Sequence, residues 1–312
     1  MAHDPILVTG AAGGSQGSTG FHVTRLLIEN GVPVRALVHR KDERLRALEN
    51  LGADIVEGDL RDLKSMRPLF RGVKRAYFTY PVRDGLLEAT SVFAAAAKEA
   101  GVETVVNLSQ LSPSPDAPTP RMREHWVSEQ VLDWAGVGAI HLRATVFFEN
   151  VRALIAGTAP EGIIYLPWGD ESTRIPLIGA EDVARVAANL LIKSYQHEPQ
   201  VRLIGQVLTV RDIVRELSKA YNREIKYIAI GDDDWRWASA ERGVNPHALA
   251  HLSQLWTFFR TSDHSGGLAY DVTDTIERIT GAKPTTFSEF LNRSMQDSTA
   301  VKRQLDAIST GA

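Results

Sequence analysis

The stretch VTGAAGGSQGSTGFH, residues 8–22, mixes glycines with hydroxyl and amide side chains, and its spacing matches three kinds of chemistry. Gly13-Gly14-Ser15-Gln16-Gly17 has the G-x-S-x-G form of a hydrolase nucleophile elbow, with Ser15 as nucleophile. Ala12 to Thr19 has the rhythm of a phosphate-binding P-loop, but Ser18 stands where the phosphate-reaching lysine is needed and Ala12 where the leading glycine is. Gly10, Gly13 and Gly20 fit a lengthened dinucleotide-binding turn, in which missing Cβ atoms let backbone N–H groups approach a pyrophosphate.

The surrounding elements arbitrate. ILV (6–8) reads as a buried strand stopped by Gly10, and from Phe21 the apolar residues Val23, Leu26 and Leu27 fall near helical spacing, with Gly31 as a C-cap. The turn therefore joins a first strand to a helix whose N-terminal N–H groups and dipole favour an anion. A nucleophile elbow normally follows several strands, whereas Ser15 follows the first. The dinucleotide reading fits best, with Gly10, Ala12, Gly13, Ser15, Gln16, Gly17, Ser18, Thr19 and Gly20 as cofactor-binding residues.

Strand and helix patterns then alternate: strands at 32–39, 53–59, 75–81, 104–110 and 139–147, helices at 42–52, 62–70, 86–101 and 121–135. Such alternation predicts an α/β, doubly wound parallel sheet covered on both faces. The expected division is a Rossmann domain over 1–150, joined by a returning segment near 174–205, and a smaller interwoven α/β lobe over 151–312. Within that lobe, 162–167 and 174–178 read as strands and AEDVARVAANLLIKS as a helix that Glu181 or Asp182 would cap. The region rich in Trp, His and Asp past 230 reads as irregular, and helices close the chain near 271–280 and 286–296.

The end of the second strand bears on the cofactor. An acid there binds the ribose hydroxyls of NAD, and a basic residue accommodates the 2′-phosphate of NADP. His39-Arg40-Lys41 favours NADP(H) over NAD(H), with Arg40 as main anchor, although Asp42 keeps NAD in view.

Composition narrows the partners. A formal charge of −3 argues against a general nucleic-acid or anionic-membrane binder. Cysteine is absent, so thiolate chemistry and disulfides are excluded. The N-terminus lacks a secretory pattern and no apolar run approaches the ~20 residues that span a bilayer, which predicts a cytoplasmic protein. Asp232-Asp233-Asp234 reads as a helix N-terminus rather than a metal site, and no metal is expected. The expected partner is a small-molecule substrate, with a homodimer allowed.

VTGAAG, ALVHR, VEGDL (56–60), NLSQ (107–110), HWVSEQVLDWAGV (125–137), LRATVFFEN (142–150), RIPLIGAEDVARVAANLL (174–191) and ITGAKPTTFSEFL (279–291) occur in an order that resembles the NmrA-like branch of the atypical short-chain dehydrogenases/reductases. The resemblance implies an NAD(P)-binding Rossmann domain with a small substrate lobe. Carried over by position, it places Asp59 and Leu60 at the adenine, Tyr80 and Pro81 at the ribose, and Ser109 and Gln110 near the nicotinamide; Phe147 is a further cofactor-binding candidate. Phe148, Asn150 and Trp168 join Gln110 on the substrate side, where Trp235, Trp237 and Trp256 would add an aromatic wall.

The departure is catalytic. Where typical short-chain dehydrogenases carry Tyr-x-x-x-Lys, this chain has Arg121 and His125. His125 would orient the ribose or deliver a proton, with Tyr80 also bordering the reacting centre. The resemblance implies two outcomes: an NADPH-dependent oxidoreductase acting on a quinone, azo compound or conjugated carbonyl, or a non-catalytic NADP-sensing regulator that binds a protein partner.

Overall fold

All three residues of the first strand, Ile6–Val8 (β1), are buried, as a strand covered on both faces requires. The structure is a computed structural model that describes residues 4–13, 18–40, 45–156, 162–193, 198–261 and 270–296. After β1 come α1 (Thr19–Glu29), β2 (Val34–Val38), α2 (Leu45–Leu51), β3 (Asp54–Glu57), α3 (Leu63–Met66), a 3-10 turn (Arg67–Phe70), β4 (Arg75–Phe78), α4 (Leu86–Ala100), β5 (Thr104–Gln110), α5 (Pro120–Ala135) and β6 (Ala139–Ala144). The second half contributes β7 (Val146–Phe147), α6 (Phe148–Ala156), β8 (Ile163–Leu166), β9 (Arg174–Ile178), α7 (Ala180–Ile192), β10 (Gln200–Leu203), β11 (Gln206–Thr209), α8 (Val210–Ala220), β12 (Lys226–Ala229), α9 (Asp232–Glu241), α10 (Pro246–Thr261) and α11 (Thr275–Thr280). A helical stretch over 287–296 follows.

Seven strands form one parallel sheet in the order β10-β6-β5-β4-β1-β2-β3. The order reverses at β1, so the ligand crevice of such a sheet opens at the carboxyl ends of β1 and its neighbours. On one face Val23 and Leu27 of α1 pack with Val183 and Val186 of α7; on the other, Phe70, Phe93 and Leu132 fill the space beneath α4 and α5. A third apolar core, including Phe148, Trp168, Leu177, Ile213, Trp256 and Phe287, fills the smaller lobe. Among the described residues no helix is long and apolar enough to cross a membrane.

Three expectations are corrected. The strand expected over 139–147 breaks at Thr145, whose hydroxyl donates to the Pro176 carbonyl at 2.7 Å; β7 beyond it joins β9 and β11 in a separate sheet. The stretch past 230 is helical, because Trp235, Leu255, Trp256 and Phe259 bury in the lobe core from α9 and α10. Helix α7 is not capped by Glu181 or Asp182: Gly179 is its N-cap and the Glu149 carboxylate of α6 accepts from the Ala180 N–H. Burial raises the Glu149 pKa to about 7. Asp182 instead accepts from the backbone N–H and hydroxyl of Thr285, pinning the late TGAKPTTF segment.

Candidate active site

At the switch point the glycine turn is shaped by close approaches that leave no room for side chains. Gly10 has φ +65°, and a Cβ there would stand 2.8 Å from Thr79 Cγ2. Gly20, in the first turn of α1, lies against β1: a Cβ would stand 2.4 Å from the Thr9 carbonyl oxygen and 2.5 Å from that of Gly10. These approaches bring the helix N-terminus onto the strand end, the packing that the glycines of a dinucleotide fingerprint provide. Gly13 also has positive φ (+71°), and Ala12 is half-buried. Ser18 adopts left-handed backbone (φ 53°) immediately before α1. Ser15, Gln16 and Gly17 lie outside the described residues.

Beneath the turn, Thr9 ties β1 to β4: its hydroxyl donates to the Thr79 carbonyl at 3.0 Å and accepts from the Thr79 N–H at 2.8 Å. Thr19, expected to face phosphate, has a buried hydroxyl oxygen that accepts from the Tyr77 phenol at 2.9 Å. Burial pushes the Tyr77 pKa up, so that phenol remains a neutral donor. Along the crevice, Arg40 is exposed at the end of β2, and Lys41 and Asp42 lie outside the described residues. The Gly58 N–H donates to the Val38 carbonyl, which sets Asp59 and the half-buried Leu60 beside that same strand end. Asp59 Oδ1 accepts from the Arg61 N–H at 2.9 Å, closing the turn.

The other end of the crevice is organised by Arg121, which is buried at 1 % exposure. Its guanidinium donates to the carbonyls of Tyr80 (3.0 Å), Pro81 (2.9 Å) and Arg83 (3.3 Å), fastening the loop after β4. Burial lowers its pKa to about 10, so it stays a cation at neutral pH. The residue at the tyrosine position thus has a structural occupation that sequence reasoning missed. Tyr80 does not offer a free hydroxyl to a reacting centre, because its phenol donates to the Asp84 carbonyl at 3.0 Å.

His125, one turn along α5 from Arg121, is buried, and its Nδ1 has no hydrogen-bond partner among the described residues. Burial, then the charge of Arg121, then His251 lower its pKa well below the ordinary histidine value. A neutral imidazole can bind a ribose hydroxyl, but it is not the charged acid that proton delivery calls for. Ser109 is committed to a buried network: its hydroxyl donates to Glu129 at 2.6 Å, and Glu129 accepts from Arg143 at 3.1 and 2.6 Å. Gln110 is half-buried, and its amide meets His251 of α10. That helix also brings His247 Nδ1 within 3.1 Å of the Asp84 carboxylate. Neither α10 histidine was singled out in the sequence, because their partners lie far away along the chain.

The expected aromatic wall is mostly core. Phe148 is fully buried against Phe287 and Phe290, and Trp168, 1 % exposed, packs on Trp256 with ring centroids 5.5 Å apart. Trp235 is also buried, whereas Trp237 is 71 % exposed on α9. Phe147 and Asn150 remain half-buried where β7 leads into α6.

The NmrA-like family profile matches residues 2–291. The chain belongs to the NmrA-like family. Among its relatives, an NAD(P)H azoreductase of Xenophilus azovorans is 27% identical over 278 residues, covering 89% of this chain and 94% of the relative. Two solved structures share the fold. An NADPH-dependent quinone oxidoreductase of Escherichia coli complexed with NADPH superposes with a TM-score of 0.75 at 22% identity, covering 93% of this chain and 99% of that one. NmrA, a negative transcriptional regulator in complex with NADP, superposes with a TM-score of 0.72 at 18% identity, covering 94% and 95%. The fold is a Rossmann-like NAD(P)-binding fold.

Proposed function

We propose that this NmrA-like protein is an NADPH-dependent oxidoreductase that reduces a planar electrophile, such as a quinone, an azo compound or a conjugated carbonyl. The cradle at Gly10, Gly13 and Gly20, closed to any Cβ at Gly20, fits a dinucleotide pyrophosphate. Ala12, Ser15, Gln16, Gly17, Ser18 and Thr19 complete that loop, Arg40 takes the 2′-phosphate, and Asp59 and Leu60 flank the adenine. The Arg121 clamp sets the Tyr80-Pro81 backbone along the ribose, where the unpaired Nδ1 of His125 has a hydroxyl to meet. A reduced nicotinamide, when held by these residues, would supply a hydride.

The observation that carries the substrate class is the state of the groups around the end of β5. Arg121 is committed to three carbonyls, the Tyr80 phenol to Asp84, the Ser109 hydroxyl to Glu129, and His125 is neutral. A simple ketone needs a positioned proton donor for its developing alkoxide. A quinone or azo acceptor spreads the incoming charge over its own π-system and takes its proton from solvent, so this set of side chains suffices. The relationship to an NAD(P)H azoreductase supports the same class.

The test is consumption of NADPH, followed by nicotinamide absorbance, with quinones, azo dyes, enones and simple ketones. Turnover is expected with the first three classes and none with simple ketones. NADPH binding without consumption across the whole panel would overturn the reading and favour a cofactor-sensing regulator.

A further inference from the structure

The first turn of α10 carries a histidine that stands between two carboxylates from two other elements. His247 Nδ1 lies 3.1 Å from the carboxylate of Asp84, in the loop after β4, and its Nε2 lies 3.6 Å from that of Glu124 on α5. The His247 side chain is 11 % exposed, against 29 % for Glu124 and 87 % for Asp84, so the imidazole is the covered member of the trio. Asn245 Oδ1 accepts from the His247 N–H at 2.9 Å and fixes the turn that bears the ring.

A neutral imidazole has one hydrogen for its two nitrogens. Whichever nitrogen carries it, the other aims a lone pair at a carboxylate, and Nε2 is a buried atom without a hydrogen-bond partner among the described residues. A second proton makes both nitrogens donors and gives each carboxylate one, whichever tautomer it starts from. The other charged or titratable groups around the ring are Arg121, which shares Glu124 at 3.5 Å, Arg83, whose guanidinium lies over the Tyr80 ring, and His251, which burial keeps neutral. The dipole of α10 opposes a cation in its first turn. Against these stand two carboxylates, and among the described residues Asp84 has no other cation within ion-pair distance. Histidine is the side chain whose charge changes across the neutral range, so this contact strengthens as pH falls through it.

Asp84 belongs to the loop that borders the crevice. Arg121 of α5 holds the Tyr80 and Pro81 carbonyls of that loop, and the Asp84 carbonyl accepts from the Tyr80 phenol at 3.0 Å. Arg121 keeps its charge at neutral pH and below, so its hold is constant there; the hold from the lobe side, through His247, is the one that varies. We propose that His247 is a positioning residue for the cofactor: once protonated, it draws in Asp84 and Glu124 and fastens the loop after β4 to the lobe, so that a bound nicotinamide dinucleotide leaves more slowly in mild acid. This rests on the placement of the ribose beside Tyr80 and Pro81 in the reading above, and is independent of which acceptor is reduced. The only chemical step is transfer of a proton from solvent to the ring.

The rate of NADPH release, followed by stopped-flow fluorescence on displacement with excess NADP⁺, should fall about two- to fivefold between about pH 8 and about pH 5, the worth of a partly exposed ion pair. NADH, which lacks the 2′-phosphate and its titration, should show the same ratio. His247→Gln, neutral throughout, should keep the faster rate at every pH. Asp84→Asn, at an exposed position where folding is not at stake, should retain a smaller response carried by Glu124 alone. Raising the salt to about 0.5 M should narrow the response of the unaltered protein. A full response in His247→Gln, a response seen with NADPH and absent with NADH, or faster release in acid would overturn the proposal. Release slowed as expected, with no acceptor reduced at any pH, overturns the oxidoreductase reading and supports the latch. Binding of neither cofactor overturns both.

Discussion

The two ends of the crevice are built by different means. At the β1–α1 turn the decisive contacts are backbone to backbone, within a few residues of each other: Gly20 against the carbonyls of Thr9 and Gly10. At the β5 end they are side-chain contacts between distant segments, with Arg121 reaching back to Tyr80 and Gln110 meeting His251. A site made from backbone fails or survives as a whole, whereas a site made from side chains can be altered one hydrogen bond at a time.

The largest effect should come from the backbone end. Gly20→Ala places a methyl where two carbonyl oxygens already stand, and α1 has to move away from β1. A loss of about 3 kcal/mol in denaturant stability, at the upper end for overpacking, is expected together with loss of NADPH binding. A variant that folds and binds normally would remove the contrast between the two ends. Next comes Arg121→Met, which leaves the carbonyls of Tyr80, Pro81 and Arg83 without their donor and should cost about 2 kcal/mol by urea unfolding. Arg121→Lys should recover only part of this, since an ammonium cannot reproduce the guanidinium fork.

Acid should act on the side-chain end. Folding holds the pKa of His125 and His251 below the ordinary value of 6.5, so the unfolded chain binds protons that the folded chain refuses. Stability from these groups is complete above the unfolded pKa and falls as pH drops below it, by up to about 1.4 kcal/mol per pH unit for each histidine. His251→Gln should flatten that slope by about one proton's worth, measured by urea unfolding on either side of the histidine pKa. An unchanged slope would show that His251 is not held neutral. The smallest effect is one of selectivity: Arg40→Ala should weaken NADPH about tenfold while leaving NADH nearly unchanged, as direct titration of both cofactors would report. Equal weakening would move the 2′-phosphate anchor elsewhere.

The same division explains what could be read in the sequence. The parallel sheet and the glycine turn were legible because buried strands read as apolar runs and close backbone approach demands glycine locally. Arg121 and His125 were found by their place on α5, yet the occupation of Arg121 was not, since its acceptors are backbone carbonyls that leave no mark in residue type. Phe148 and Trp168 read equally well as pocket or core, and burial settled them as core. The Asp232-Asp233-Asp234 run marked the start of α9, but the rest of α9 and all of α10 were hidden because Trp, His and Asp carry weak helical preference, which the apolar lobe core overrides. His251 carried no local signal at all, because its partners Thr119 and Gln110 lie 132 and 141 positions away.

Helix α10 belongs to both parts of the molecule. Leu255, Trp256 and Phe259 anchor it in the lobe core, while His247 and His251, one turn apart, bond to Asp84, Thr119 and Gln110 of the Rossmann side. Freeing the lobe from the large sheet would strip buried partners from α10 and from the α5 cap together. The lobe core and the cores on either face of the large sheet should therefore melt in a single cooperative transition, and the amides of α10 should exchange with solvent at the pace of β5 rather than of the exposed strand β12.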